Sequence, residues 1–177
     1  MAATDSYNGF DPDRILRALD SHDVDLVVVG GVAARAHGAS RQTTDIDCVP
    51  SRDIGNLQRL AAALISLNAR LRVAGMSDDE ARLLPVRLDA ETLAAFGSST
   101  WMTDAGPLDL LVELRDSSGG RHSFDDLSTR SLPITVGEIV VRVAALNDIV
   151  ESKQFAGRPK DLEALPELRA LLEDNGI

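Results

Sequence analysis

Two carboxylates separated by a single residue, Asp45 and Asp47, close the segment VVVGGVAARAHGASRQTTDIDCVP, Val27 to Pro50. Residues i and i+2 of a strand project from the same face, so a strand here holds both carboxylates side by side, with only Ile46 between them pointing into the core. Such a pair repels itself strongly, and a hard divalent cation with oxygen ligands is the usual way to neutralise it. Upstream, Gly30-Gly31 follows an apolar run and precedes a helical pattern. Without side chains, their backbone N–H groups can approach a phosphate at the start of that helix. Taken singly, a Gly-Gly is mostly a tight turn and an Asp-x-Asp mostly a solvated face. Together, a carboxylate pair beside a phosphate cradle is the layout of metal-assisted phosphoryl or nucleotidyl transfer.

The elements that must hold these residues can be read from pattern and punctuation. A first helix starts at Asp11 or Pro12 and buries Ile15, Leu16 and Leu19. Asp25 to Val29 is a short β-branched strand, broken by the glycine pair, and VAARAHG is a short helix. Thr43 to Val49 is a second strand, stopped by Pro50. Ser51 caps a helix whose stripe is Ile54, Leu57, Leu60, Ala61, Leu64 and Ile65. LRV and PVRL read as strands and Ala90 to Phe96 as a helix. Ser99 to Thr103 and Leu108 to Leu114 form a hairpin around Asp104-Ala105-Gly106. Asp116 to Arg130, with SSGGRHS, reads as an exposed loop. A further hairpin joins Ile134 to Val136 with Ile139 to Val143. Two helices follow, Ala145 to Phe155 and Pro159 to about Glu173, broken at Gly157. Strands first and helices last make the class α+β.

Composition narrows the function. The 177 residues carry 28 acidic and 18 basic side chains, for a net charge of −10. That length fits one core, divided here into residues 1–143 and a helical segment 144–177 packed on it as one compact unit. No apolar run is long enough to span a bilayer, and MAATDSYNGFDPD lacks the layout of a signal peptide. A single cysteine, Cys48, fits a reducing cytoplasm. Indiscriminate nucleic-acid coating is disfavoured by the acidity, because counterion release needs clustered cations. Among the cations, only Lys153 and Lys160 are lysines.

The pattern GG–A–HG–R–T–DID resembles the signature of the DNA polymerase β-like nucleotidyltransferase superfamily, and most closely its AbiEii/MenT-type branch, the toxin components of bacterial toxin–antitoxin and phage-defence pairs. The stretch AALNDIVESKQFAGRPKDLEAL resembles that branch's lysine-bearing helix and the turn after it. The resemblance implies a mixed β-sheet flanked by helices with a small C-terminal helical part. It implies that Gly30 and Gly31 hold the triphosphate of an NTP, and that Asp45 and Asp47 bind Mg²⁺ or Mn²⁺. A third carboxylate is expected on a later strand. Asp109 in PLDLLVEL is the best placed, because an unpaired Asp in an apolar strand is costly; Asp104 and Glu113, at the strand ends, are weaker candidates. Asp109 would take or orient the acceptor's proton. Lys153 matches a lysine that contacts nucleotide phosphates as a point charge. Asp161 closes the AGRPKD-like turn, as a nucleotide-binding residue or as a carboxylate favouring its helix dipole. Arg41 can pair with a phosphate, whereas His37 reads as a packing or capping residue. Thr43, beside the metal ligands, is a possible site of regulatory phosphorylation by an antitoxin kinase, or simply a β-branched strand residue.

Three functions fit. The first is an NTP-dependent toxin that modifies an RNA acceptor, the tRNA 3′ end above all, partnered by an antitoxin protein. With aromatic residues at 3%, base stacking is scarce, so RNA binding would need a local arginine patch around Arg35, Arg41 and Arg158. A small-molecule enzyme is the second: aminoglycoside nucleotidyltransferases share the Gly-Gly…Asp-Ile-Asp pattern, and an acidic protein suits a cationic substrate. The third is a non-catalytic nucleotide- or partner-binding module of the same fold.

Overall fold

The computed structural model describes residues 9–174. Helix α1 (Pro12–Ser21) is capped by Asp11, whose side chain accepts the Arg14 N–H, and buries Ile15, Leu16 and Leu19. Strand β1 (Leu26–Val29) is buried at every residue, which requires cover on both faces of the sheet. Helix α2 (Gly30–Ala36) begins on the glycine pair itself. Strand β2 (Ile46–Pro50) starts later than its sequence implies, leaving Thr43, Thr44 and Asp45 in the loop ahead of it, and Pro50 is its last residue.

Helix α3 (Ile54–Ser66) is capped by Asp53, which accepts the N–H groups of Gly55 and Asn56, and not by Ser51. An ionised acceptor at the N-terminus also favours the helix dipole. Leu57, Leu60, Ala61 and Leu64 join the core, whereas Ile54 and Ile65 stay largely exposed. The expected stripe was therefore too wide at both ends. Strand β3 (Arg70–Leu71) is followed by α4 (Asp78–Arg82), α5 (Ala90–Ala95), β4 (Ser99–Thr103) and β5 (Gly106–Leu110). PVRL forms no strand. The turn preceding it is helical because Ser77 and Glu80 make a reciprocal capping box.

Strands β6 (Leu114–Arg115) and β7 (Arg121–His122) form a separate ladder, followed by α6 (Phe124–Ser128). The expected loop at Asp116 to Arg130 is thus largely structured. Its glycine-rich tract closes the β6–β7 hairpin, where Asp116 accepts bonds from Ser118, Gly120 and His122. A second capping box, Ser123 with Asp126, starts α6, and Leu127 anchors it in the core. Strands β8 (Leu132–Val136) and β9 (Ile139–Val143) form the second expected hairpin. Helices α7 (Leu146–Ala156) and α8 (Pro159–Asp174) are separated by Gly157, which caps α7 at φ +61°.

Seven strands make one mixed sheet in the order β3-β4-β5-β2-β1-β9-β8. The pairs β2–β5 and β1–β9 are parallel, and the remaining pairs are antiparallel. The class is α+β, with helices interspersed along the chain and only α7 and α8 gathered at its end. Helices α1, α3 and α5 pack in series, and α2, α7 and α8 form a second group. The His37 ring bonds to the Ala144 carbonyl oxygen at 2.8 Å through Nε2, tying the end of α2 to the start of the C-terminal helices. That is the packing and capping role expected of it. Because β2 lies between β1 and β5, Asp47 is paired in register with Val29 on one side and Asp109 on the other. Among the described residues, no helix is long and apolar enough to cross a membrane.

Candidate active site

A cleft of about 320 Å³ opens where β1, β2 and β5 meet α2, α7 and α8. Its lining draws on residues far apart in sequence: Gly30 and Gly31, Arg41, Thr43, Asp45 and Asp47, Asp109, Lys153, and Asp161. The leading metal and nucleotide candidates therefore all reach one cavity. Asp104 and Glu113 do not: Asp104 accepts a bond from the Asn68 amide, and Glu113 pairs with Arg115 and Arg121.

The glycine pair meets a requirement that the sequence did not reveal. Gly30 has φ +64°, a left-handed conformation that side chains disfavour, and a Cβ added there would run into the Asp47 carboxylate. At Gly31 an added Cβ would lie 2.6 Å from Thr43 Oγ1. The pair thus lets α2 start directly against the acidic residues. Thr43 Oγ1 donates to Asp45 Oδ1 at 2.9 Å and orients that carboxylate from the loop.

The three aspartates are electrostatically coupled. Burial, together with the charges of Asp45 and Asp109 and against those of Lys160 and Arg158, raises the Asp47 carboxyl to about 7. Burial also raises Asp109, with Asp45 adding to the effect and a bond from Thr100 opposing it. Asp109 Oδ1 is buried and makes no hydrogen bond. Among the described residues, no three acidic, histidine or cysteine side chains form a ready-made metal cage. The donor set nevertheless fits a divalent cation: all-oxygen, mutually repelling, and with an unsatisfied buried oxygen that a cation would satisfy.

Cations line the opposite wall. Asp161 is almost fully buried and accepts from Lys153 Nζ at 3.2 Å and from Arg158 Nε at 2.5 Å. Burial raises its pKa, but these two partners outweigh burial and hold it below the usual carboxylate range. Arg41 pairs with Glu163 at 3.1 Å, and Glu167 on the same helix accepts the Ser40 N–H at 2.8 Å. Arg35 braces the loop carbonyls of Ser40 and Arg41. Of the arginines expected to form a patch, Arg41 and Arg158 do line the cleft, and each of Arg35, Arg41 and Arg158 has a partner within the chain.

The fold recurs in solved structures. The antibiotic-resistance factor ANT(2'')-Ia matches with a TM-score of 0.56 and 15% identity, over 92% of this chain and 80% of that one. The lincomycin-bound lincosamide antibiotic adenylyltransferase LnuA matches with a TM-score of 0.56 and 14% identity, over 93% and 99% of the two chains. This chain has the nucleotidyltransferase fold. A complex of ANT(2'')-Ia with adenylyl-2''-tobramycin shows the same nucleotidyltransferase fold at a TM-score of 0.55 and 15% identity, over 90% and 91% of the chains. No protein-family model and no curated protein matches the sequence.

Sequence reasoning missed three contributors to this nucleotidyltransferase-fold cleft. Lys160 and Glu167 line it, and Thr100 sits opposite Asp109 on β4. The signal for Lys160 was available in the AGRPKD stretch, where it stands next to Asp161. Nothing in the sequence distinguishes Glu167 or Thr100 from ordinary surface and strand residues.

Proposed function

We propose that this protein is a metal-dependent nucleotidyltransferase that moves a nucleoside monophosphate from an NTP to the hydroxyl of a cationic small molecule. The observation that carries the reading is the in-register pair Asp47–Asp109, with Asp45 beside it, in the cleft opened by Gly30 and Gly31. A divalent cation held by Asp45, Asp47 and Asp109 would supply the positive charge that stabilises phosphoryl transfer there. The Asp109 carboxylate, at the edge of the same cleft, takes the proton of the acceptor hydroxyl. The acceptor oxygen bonds to the α-phosphorus in line as the bond to pyrophosphate breaks. Gly30 and Gly31 let the start of α2 close against Asp47 and Thr43 at the nucleotide cleft, which Lys153 and Arg41 also line.

Two observations favour a small cationic acceptor. Two of the three arginines that would form an RNA-binding patch, Arg41 and Arg158, already carry carboxylate partners within the chain. The aspartates make the other side of the cleft acidic, and so is the chain as a whole. Amino groups on an acceptor would be attracted to that surface, whereas a polyanion would be repelled. The solved relatives of this fold include an aminoglycoside product complex and a lincosamide complex.

A second reading keeps the chemistry and takes RNA, tRNA in particular, as acceptor, with the protein acting as the toxin of a toxin–antitoxin pair. It rests on the resemblance of the Lys153-to-Asp161 stretch to that branch. One assay separates the two: each α-labelled NTP with Mg²⁺, incubated with total tRNA or with a panel of aminoglycosides and lincosamides. Label on a small amine-bearing product supports the first reading, label on RNA the second. Release of no pyrophosphate with any acceptor leaves only the non-catalytic module of the same fold.

A further inference from the structure

We infer that Lys160, and not Lys153, is the cation that contacts the phosphates of the bound NTP; this rests on reading the cleft as an NTP site. Four cations line the cleft: Arg41, Lys153, Arg158 and Lys160. Three of them already have carboxylate partners. Arg41 is paired with Glu163 at 3.1 Å, and Lys153 and Arg158 share the buried Asp161. Breaking the latter cluster to reach a ligand would strand a buried charge. Lys160 is exposed, lines the same cavity as Asp47 and Asp109, and among the described residues makes no hydrogen bond or ion pair.

Its position in the chain argues the same way. Lys160 lies in the first turn of α8 (Pro159–Asp174), where the positive end of the helix dipole disfavours a cation. The neighbouring Asp161 obeys that preference and Lys160 violates it. The helix dipole therefore gives no reason for a lysine at this position, while the charges met in the cleft do. The ammonium is also felt by the acidic wall, since its charge opposes the rise in the Asp47 and Asp109 pKa values. Asp161 then acts as a positioning residue: by fixing Lys153 and Arg158 it locks the α7–α8 turn and sets where Lys160 points.

The test is equilibrium binding of ATP, GTP, CTP and UTP in turn, each with Mg²⁺, to the full chain and its Lys160→Ala and Lys160→Arg variants, together with thermal melts. For the NTP that the unaltered chain binds, Lys160→Ala should weaken affinity by about tenfold or more, the scale of one charge-assisted contact. Lys160→Arg should retain most of the affinity. The melting temperature of Lys160→Ala should stay within a few degrees of that of the unaltered chain, so that the lost affinity is not a lost fold. Undiminished affinity in Lys160→Ala overturns this assignment and leaves the NTP site standing. An unaltered chain that binds none of the four overturns both.

Discussion

Asp47 and Asp109 sit side by side in register on the parallel strands β2 and β5, so one carboxylate cannot ionise without raising the cost of ionising the other. The fold holds this pair against its own electrostatics. With the Asp47 pKa raised from 3.8 to about 7, the folded chain keeps a proton that the unfolded chain has already lost. Stability of the metal-free protein should therefore fall as pH rises from about 4 to 7 and level off above that. Asp47→Asn removes the repulsion. It should raise the metal-free melting temperature at pH 7.5 by ~5 °C, the equivalent of about 2 kcal/mol, while abolishing transfer. Calorimetry across pH, paired with pyrophosphate release, checks both halves.

The same protonation predicts how metal enters. Mg²⁺ must displace the shared proton below about pH 7, so its affinity should increase with pH up to that point and plateau beyond it. Proton release on Mg²⁺ titration in two buffers of different ionisation heat measures this directly. A pH-independent affinity would remove the aspartates as ligands.

Gly30 tolerates no side chain. With φ +64° and the Asp47 carboxylate where a Cβ would go, Gly30→Ala combines backbone strain with displacement of a site residue. The expected cost is about 2 kcal/mol in urea denaturation, with activity lost beyond what the residual unfolded fraction explains.

Removing the buried negative charge that joins the C-terminal helices should be costly. Asp161→Asn leaves Lys153, itself mostly buried, without its counter-charge. A loss of about 2 kcal/mol at neutral pH is expected. Since partners hold the folded Asp161 pKa below its ordinary value, that contribution is present at neutral pH and disappears as pH falls through the acid range. The gap between variant and parent melting temperatures should therefore close in acid.

Thr43 offers a probe of control. Its hydroxyl donates to Asp45 Oδ1 at 2.9 Å, so a negative group there replaces a donor with a repelling charge. Thr43→Glu, as a mimic of a phosphate carrying about two charges, should lose Mg²⁺-dependent NTP binding while melting within a few degrees of the parent. In the RNA-directed reading, co-expression with a partner kinase should add one phosphate to this residue by intact mass.

Local chemistry that acts within a few residues was legible in the sequence, and chemistry that acts across the fold was not. The Asp11 cap, the Asp104–Ala105 hairpin turn and the Gly157 break were readable, because each depends on its immediate neighbours. So was the pairing of the glycines with Asp45 and Asp47, since a short helix spans the gap. The cap on α3 was misplaced because Ser51 and Asp53 both qualify, and only geometry selects between them. The α4 and α6 turns escaped notice because a capping box needs just two side chains and almost no apolar periodicity. Asp109 was found through the cost of a carboxylate in an apolar strand, but its register with Asp47 follows from a parallel β2–β5 pairing that no local pattern encodes. Likewise, Arg41 looked available for RNA but is paired with Glu163, a partner invisible until α8 is folded back onto the cleft.

The bond between His37 and the Ala144 carbonyl, together with the cluster around Asp161, has a consequence for genetics. One wall of the cavity is written in the last part of the gene, while the aspartates are written in its first two-thirds. A frameshift or stop between the Asp109 codon and α8 would yield a chain that keeps its three aspartates and has no α8 wall beside them. Loss-of-function lesions should therefore be spread along the reading frame, with no tolerant stretch at the α8 end.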